Sequence, residues 1–170
     1  MKRFSVIVSI IILLCCCTRQ SAQLPSNKAT ISDEKMDMMT YNKMCIEAEM
    51  AEIGAYLDSS SVEFIKSDAG YWYKVVNSNK EAKVNDIVTI SGTVQVLGGT
   101  PCKELDSLTL RLGKRDHTKV LDLALANAHV GDEIWIISPS SLAYGIKGIS
   151  NCITSRTPVL YKIKVLKTNE

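Results

Sequence analysis

Histidine is nearly missing from this chain of 170 residues: His117 and His129 stand alone, and no cysteine lies at a metal-ligand spacing from either. Zinc sites need clustered Cys and His at short intervals, so that class is excluded, and both histidines read as surface or internally satisfied residues. No metal and no cofactor is expected. A charge of one sign is missing as well. Taking residues 1–16 away as a leader removes Lys2 and Arg3 and no acid, which leaves 18 basic against 18 acidic residues. A formally neutral chain without a basic run lacks the electrostatic footprint of a nucleic-acid binder. The third absence is length in the apolar runs. Val6 to Leu14 is almost wholly apolar, yet it falls well short of the roughly 20 residues that a permanent membrane span requires.

What is present begins with that run. Behind Lys2-Arg3 it reads as a secretory signal, and it ends in Leu13-Leu14-Cys15-Cys16-Cys17, the pattern of a bacterial lipoprotein signal. In such signals a cysteine after a short aliphatic-then-small stretch is acylated and becomes the first residue of the mature chain. Cys16 and Cys17 each have a leucine at the third position upstream and a small residue just before; Cys17 is favoured. Several acyl chains hold a protein on a membrane, since each buried methylene adds roughly 0.8 kcal/mol and one chain alone is marginal. The expectation is a protein lipid-anchored in the cell envelope. Thr18-Arg19-Gln20 carry no acidic run, which favours an outer-membrane anchor facing the periplasm.

Composition then divides the chain into a leader (1–16), a polar flexible tether (17–41), a helix with a lead-in strand (42–83) and one folded domain (84–167). Ile46, Met50, Ile53 and Leu57 recur at spacings of four, three and four, one stripe of a helix. That stripe either packs on the domain or pairs with a second copy, giving a dimer through the 45–57 helix. From Tyr71 the period changes to two. Val88, Ile90, Gly92, Val94 and Val96 share one face of a strand over Ile87 to Val96; Leu108, Leu110 and Leu112 form another; Leu121, Leu125 and Ala128 mark a short helix. Ile134 to Ile137 is an apolar strand, and Val159, Tyr161, Ile163 and Val165 alternate along the last one. Helix, antiparallel strands, short helix and two more strands make an α+β domain. Three cysteines remain. Cys102 and Cys152 lie in loops rich in Gly, Pro and Ser, while Cys45 begins the helical pattern. In an oxidising compartment Cys102 and Cys152 could pair; the alternative is three thiols.

Val130-Gly131-Asp132, the apolar strand, Ser138-Pro139-Ser140-Ser141-Leu142-Ala143-Tyr144-Gly145 and then Tyr161 to Leu166 together resemble the C-terminal half of FKBP-type peptidyl-prolyl isomerases. Leu112-Gly113-Lys114 and Leu105-Asp106 resemble that family's middle, and the likeness runs from Val84 to Leu166. With its lipoprotein signal, tether and helical prelude, the chain also looks like the FKBP-like lipoproteins of Bacteroidetes, the gliding-motility-associated ones included. The resemblance implies a curved antiparallel sheet wrapped around one short helix, with a prolyl pocket between them.

In the family, an X–Pro bond with a barrier of about 18–20 kcal/mol is turned over by desolvating and holding the twisted amide, without a nucleophile or metal. Carried across, the resemblance makes Tyr144 the donor to the substrate carbonyl, Asp106 the pocket aspartate, Leu121 the floor and Tyr161 an aromatic wall. Ile90, Leu105 and Leu108 fall at three further wall positions. It also brings the Cys102 and Cys152 loops to one side of the pocket, where a disulfide would pin the lip. The chain departs from the family where aliphatics replace most pocket aromatics, where His117-Thr118 replace an aliphatic pair, and where the loop after Tyr144 lacks its proline run. The implied function is peptidyl-prolyl isomerisation on proline-containing segments of exported proteins, assisting their folding in the envelope. The alternative is a catalytically weak or inactive binding or chaperone module on the same pocket.

Overall fold

The computed structural model describes residues 37–78, 82–149 and 151–169. The leader, Cys16, Cys17 and most of the tether lie outside them. Helix α1 runs Met38–Ser59. It starts before residue 42, the boundary that composition suggested between tether and helix; Met38 and Met39 are good helix formers that carry no periodic signal of their own. Only part of the stripe is used for packing. Ile53 is fully buried and Leu57 is half-buried, whereas Ile46 and Met50 stay 56% and 37% exposed. No helix among the described residues is long and apolar enough to cross a membrane.

Strands β1 (Ile65–Lys66), β2 (Trp72–Asn77), β3 (Ile87–Val96), β4 (Pro101–Arg111), β5 (Glu133–Ser138) and β6 (Val159–Asn169) form one antiparallel sheet in the order β1-β2-β5-β6-β3-β4. Helix α2 (Lys119–Leu125) joins β4 to β5. Side chains alternate between the two faces of a strand, and here each face has its own helix. Ile134 and Ile136 of β5, Tyr161 and Ile163 of β6, and Val88, Ile90 and Val94 of β3 pack with Val120, Leu121 and Leu125 of α2. Ile137 and Leu160, one residue out of phase, close on Ile53 of α1, with Trp72, Trp135 and Phe64 at the margin. This is the physical reason why Ile134 to Ile137 is apolar at every position: both faces of that strand are covered.

Two features aim the site. Between Ile90–Leu108 and Gly92–Leu105 the β3–β4 register shifts, so that Asp106 and Ser107 stand opposite Ser91 alone. That is a β-bulge, and Ser107 takes its left-handed conformation with φ 48°. Gly92, next along β3, pairs with Leu105 and has to be glycine because a Cβ there would collide with the Lys162 carbonyl of β6. The second feature is the segment after β5. Ser138, Pro139 and Ser140 are buried, and a 3₁₀ turn over Ser140–Leu142 delivers Tyr144. Cys102, expected in a loop, lies inside β4. The apolar alternation that marks β4 begins only at Leu108, so its first half carried no strand signal.

Candidate active site

Tyr161 is the anchor. It points from β6 into the α2 side of the sheet with no exposed surface, and its hydroxyl donates to Thr118 Oγ1 at 3.1 Å. Thr118 stands at the N-cap position of α2, yet its side chain makes no cap bond; the hydroxyl is turned to Tyr161 instead. Burial drives the Tyr161 pKa far above the ordinary tyrosine range, and the neighbouring Tyr144 adds to this. This phenol stays protonated and locked.

Tyr144 stacks on Tyr161, ring centroids 6.3 Å apart with 24° between planes, and His117 meets it edge-on at 6.5 Å. The Tyr144 hydroxyl has less than 1 Å² of accessible surface and no partner at hydrogen-bonding geometry among the described residues. Burial raises its pKa, and the neighbouring Tyr161 hydroxyl opposes the rise without cancelling it. A buried hydroxyl without an acceptor costs about 1–3 kcal/mol, so such groups are rare and mark either strain or a waiting partner. Leu121, Ile90 and Leu105 lie under this pair, all at 3% exposure or less; Leu108 is packed against the same cluster, half-buried. His117 is half-buried, and desolvation lowers its pKa, helped by Lys103 and opposed by Asp122. The imidazole at this rim is neutral near pH 7.

The structure therefore brings Tyr144, Tyr161, Leu121, Ile90, Leu105 and Leu108 into one cluster. Asp106 stands apart in its environment: the bulge leaves it exposed. Cys102 and Cys152 are joined, with Cα atoms 5.7 Å apart, tying β4 to the segment beyond Tyr144; Cys45 is a free thiol on α1. No group of His, Cys, Asp and Glu among the described residues gathers as a metal site. The chemistry such a site can offer is desolvation of a small apolar ring, a phenol O–H for a carbonyl, and a rigid floor.

Sequence reasoning missed two residues, Glu49 and Arg156. His117, read as a surface or internally satisfied histidine and placed by the resemblance with Thr118 where the family has an aliphatic pair, borders Tyr144. Glu49 of α1 is buried, and its carboxylate accepts from the Ser140 backbone N–H and, at 3.0 Å, from the Ser140 hydroxyl. Arg156 donates to Asn42 Oδ1 at 2.7 Å and lies over the Tyr41 ring. Glu49 had left a signal: it sits three residues after Ile46 and four before Ile53, a charge inside an apolar stripe.

The architecture is shared with solved structures. A peptidyl-prolyl cis-trans isomerase of Pseudomonas syringae pv. tomato str. DC3000 superposes with a TM-score of 0.64 at 17% identity, covering 76% of this chain and 96% of its own. The structure of AtFKBP13 gives a TM-score of 0.59 at 18% identity, over 64% of this chain and 100% of its own. At such identities the likeness establishes the fold alone. No curated protein sequence matches the chain at a significant level. The family model of the FKBP-type peptidyl-prolyl cis-trans isomerases matches residues 78–166, just over half of the sequence, and with that match the chain belongs to the FKBP-type peptidyl-prolyl cis-trans isomerase family.

Proposed function

We propose that the domain catalyses cis–trans exchange at X–Pro bonds, with Tyr144 as the hydrogen-bond donor to the substrate and Leu121, Tyr161, Ile90, Leu105 and Leu108 as the apolar surround. The observation that carries this reading is the buried Tyr144 hydroxyl without an acceptor. It is a preorganised donor, held against a locked phenol, in a place where a bound carbonyl would complete it. Rotation about the prolyl C–N bond weakens amide resonance, so the twisted state carries less charge separation than the planar ground state. An apolar, water-poor site favours it for that reason. Asp106, exposed on its bulge, adds at most a weak electrostatic contribution.

In the cell we place this activity on a lipid anchor at Cys17 or Cys16, in the envelope and at the periplasmic face of the outer membrane. There it assists folding of exported proteins through their proline-containing segments. The support is the leader and its cysteines, together with a disulfide suited to an oxidising compartment.

A second reading is a binding module with little turnover. It is favoured by the same covered hydroxyl, since substrate must first open the site. Catalysed exchange of a short X–Pro peptide, followed by NMR with the full chain, separates the two. Exchange well above the buffer rate, lowered in Tyr144→Phe, establishes the isomerase; peptide binding without exchange establishes the module.

A further inference from the structure

We infer that Glu49 of α1 is a positioning residue for Tyr144, which makes the N-terminal helix a working part of the site and not an appendage to the domain. Ser140 links Glu49 to Tyr144. Its N–H and its hydroxyl both bond the Glu49 carboxylate, and its own carbonyl then accepts from Ala143 N at 2.9 Å and Gly145 N at 2.8 Å. Those residues flank Tyr144 on either side. Wherever Glu49 holds Ser140, the backbone bonds carry Tyr144 with it.

The far end of the same segment is held by the same helix. Arg156 N donates to the Gly145 carbonyl at 2.9 Å, and the Arg156 side chain reaches Asn42 and the Tyr41 ring of α1. Between these two fastenings lies a cleft of about 700 Å³, lined among others by Ile46, Met50, Pro139 and Ile146. Along this stretch α1 is thus joined to the segment by directed bonds on both sides of an open space. Hydrophobic attachment is supplied elsewhere, by Ile53 against Ile137 and Leu160.

A buried carboxylate is a poor device for stability alone, because the desolvation it suffers offsets most of what its bonds return. Among the described residues no cation pairs with Glu49. Its two bonds nevertheless go to the residue whose carbonyl accepts from both neighbours of Tyr144. The same N–H at the start of a 3₁₀ turn has no partner within the turn itself, so Glu49 supplies what local structure cannot.

The activity arm of the test rests on the isomerase reading; the spectroscopic arm does not. Full-length protein is compared with Glu49→Ala, Glu49→Gln, Ser140→Ala and Ile53→Ala. The last loosens α1 without touching Ser140. Peptide exchange is measured well below each melting midpoint, with kcat and KM separated, and the Tyr144 ring signals are followed by NMR. Expected is a fall of about 10-fold in kcat for Glu49→Ala, as small displacements at a site produce, with displaced Tyr144 signals. Glu49→Gln should recover most of both, because its amide can accept from the N–H and donate to the hydroxyl. Ile53→Ala should lower the midpoint and leave both readouts in place.

Equal losses in Glu49→Ala and Ile53→Ala would overturn the inference, as would unmoved Tyr144 signals in Glu49→Ala. If the wild type shows no catalysed exchange, the isomerase reading fails while the NMR comparison still decides the role of Glu49. If Glu49→Ala does not fold, Ser140→Ala decides: it removes one of the two bonds, and unchanged Tyr144 signals there would overturn the inference equally.

Discussion

Two segments bring polar side chains to the site, and they are built to different standards. The stretch from Ser138 to Arg156 is buried at its start, hung from Glu49 through Ser140, tied to Asn42 through Arg156 and stapled to β4 by Cys152. The Tyr144 it carries stacks on the locked Tyr161. The bulge at Asp106 and Ser107 is exposed, and its aspartate sits where water screens it. Similar motif letters therefore meet dissimilar environments. A phenol held in a dry site can act through a single hydrogen bond, whereas an exposed carboxylate cannot. The weight of any catalysis falls on the Tyr144 side.

The largest expected effect breaks the staple. In the chain-entropy account, closing a loop across a sequence separation of 50 is worth about 4 kcal/mol. Replacing Cys102 and Cys152 together by serine should therefore lower the denaturation free energy by several kcal/mol, read from chemical unfolding. A second effect is expected in function: X–Pro exchange should weaken while the protein is still folded. A serine pair that melts early but exchanges peptide at the wild-type rate would show that the staple serves stability only.

Next is a pair of hydroxyl deletions with opposite signatures. Tyr161→Phe removes a bond that is satisfied and should cost about 1 kcal/mol of stability. Tyr144→Phe removes a donor with no acceptor, so stability should hold or rise slightly while exchange falls about 10-fold, equivalent to about 1.4 kcal/mol of barrier. Calorimetry and exchange on the two variants test this crossing. Loss of stability in Tyr144→Phe would mean that its hydroxyl is already bonded in the free protein.

Much of the fold could be read directly. The period-two run from Ile87 to Val96 is β3 to the residue, and the doubly apolar strand at Ile134 to Ile137 has a helix on each side of the sheet. These patterns were legible because burial on a face leaves a mark at every second position. The Tyr144 side of the site was legible for a related reason, since its turn and flanking strand carry a long ordered motif. What the sequence concealed was long-range and polar. Nothing near Asp106 announces that a bulge will turn it to solvent, because a bulge is a mismatch between two strands and exists in neither alone. Glu49 and Arg156 act at positions 91 and 114 residues from their partners, and a single charge in a helical stripe does not name the residue it will meet.

A smaller effect concerns His117. Burial lowers its pKa below the ordinary 6.5, so the unfolded chain takes up a proton that the folded chain refuses as pH falls through that range. Stability should accordingly be flat above about 6.5 and decline from there down through the lowered folded pKa. The groups bearing on it are Lys103, which deepens the shift, and Asp122, which opposes it. Melting midpoints between pH 7.5 and 5 should drop less in His117→Gln than in wild type. Parallel curves would place the histidine in water and remove it from the rim of the site.

The smallest expected change is the most informative for the comparison. Asp106 matches the family motif, but its exposure means that water and salt screen its charge before substrate can feel it. Asp106→Ala should therefore reduce X–Pro exchange less than about 2-fold, within the range of surface charge effects, and the loss should vanish in high salt. Tyr144→Phe should remain deficient at every salt concentration, because its hydrogen bond is made in a site closed to ions. If Asp106→Ala instead matches Tyr144→Phe and resists salt, then substrate binding must fold the bulge inward over the Tyr161 floor. The exposed conformation would in that case be the open state of a site that closes from the β4 side.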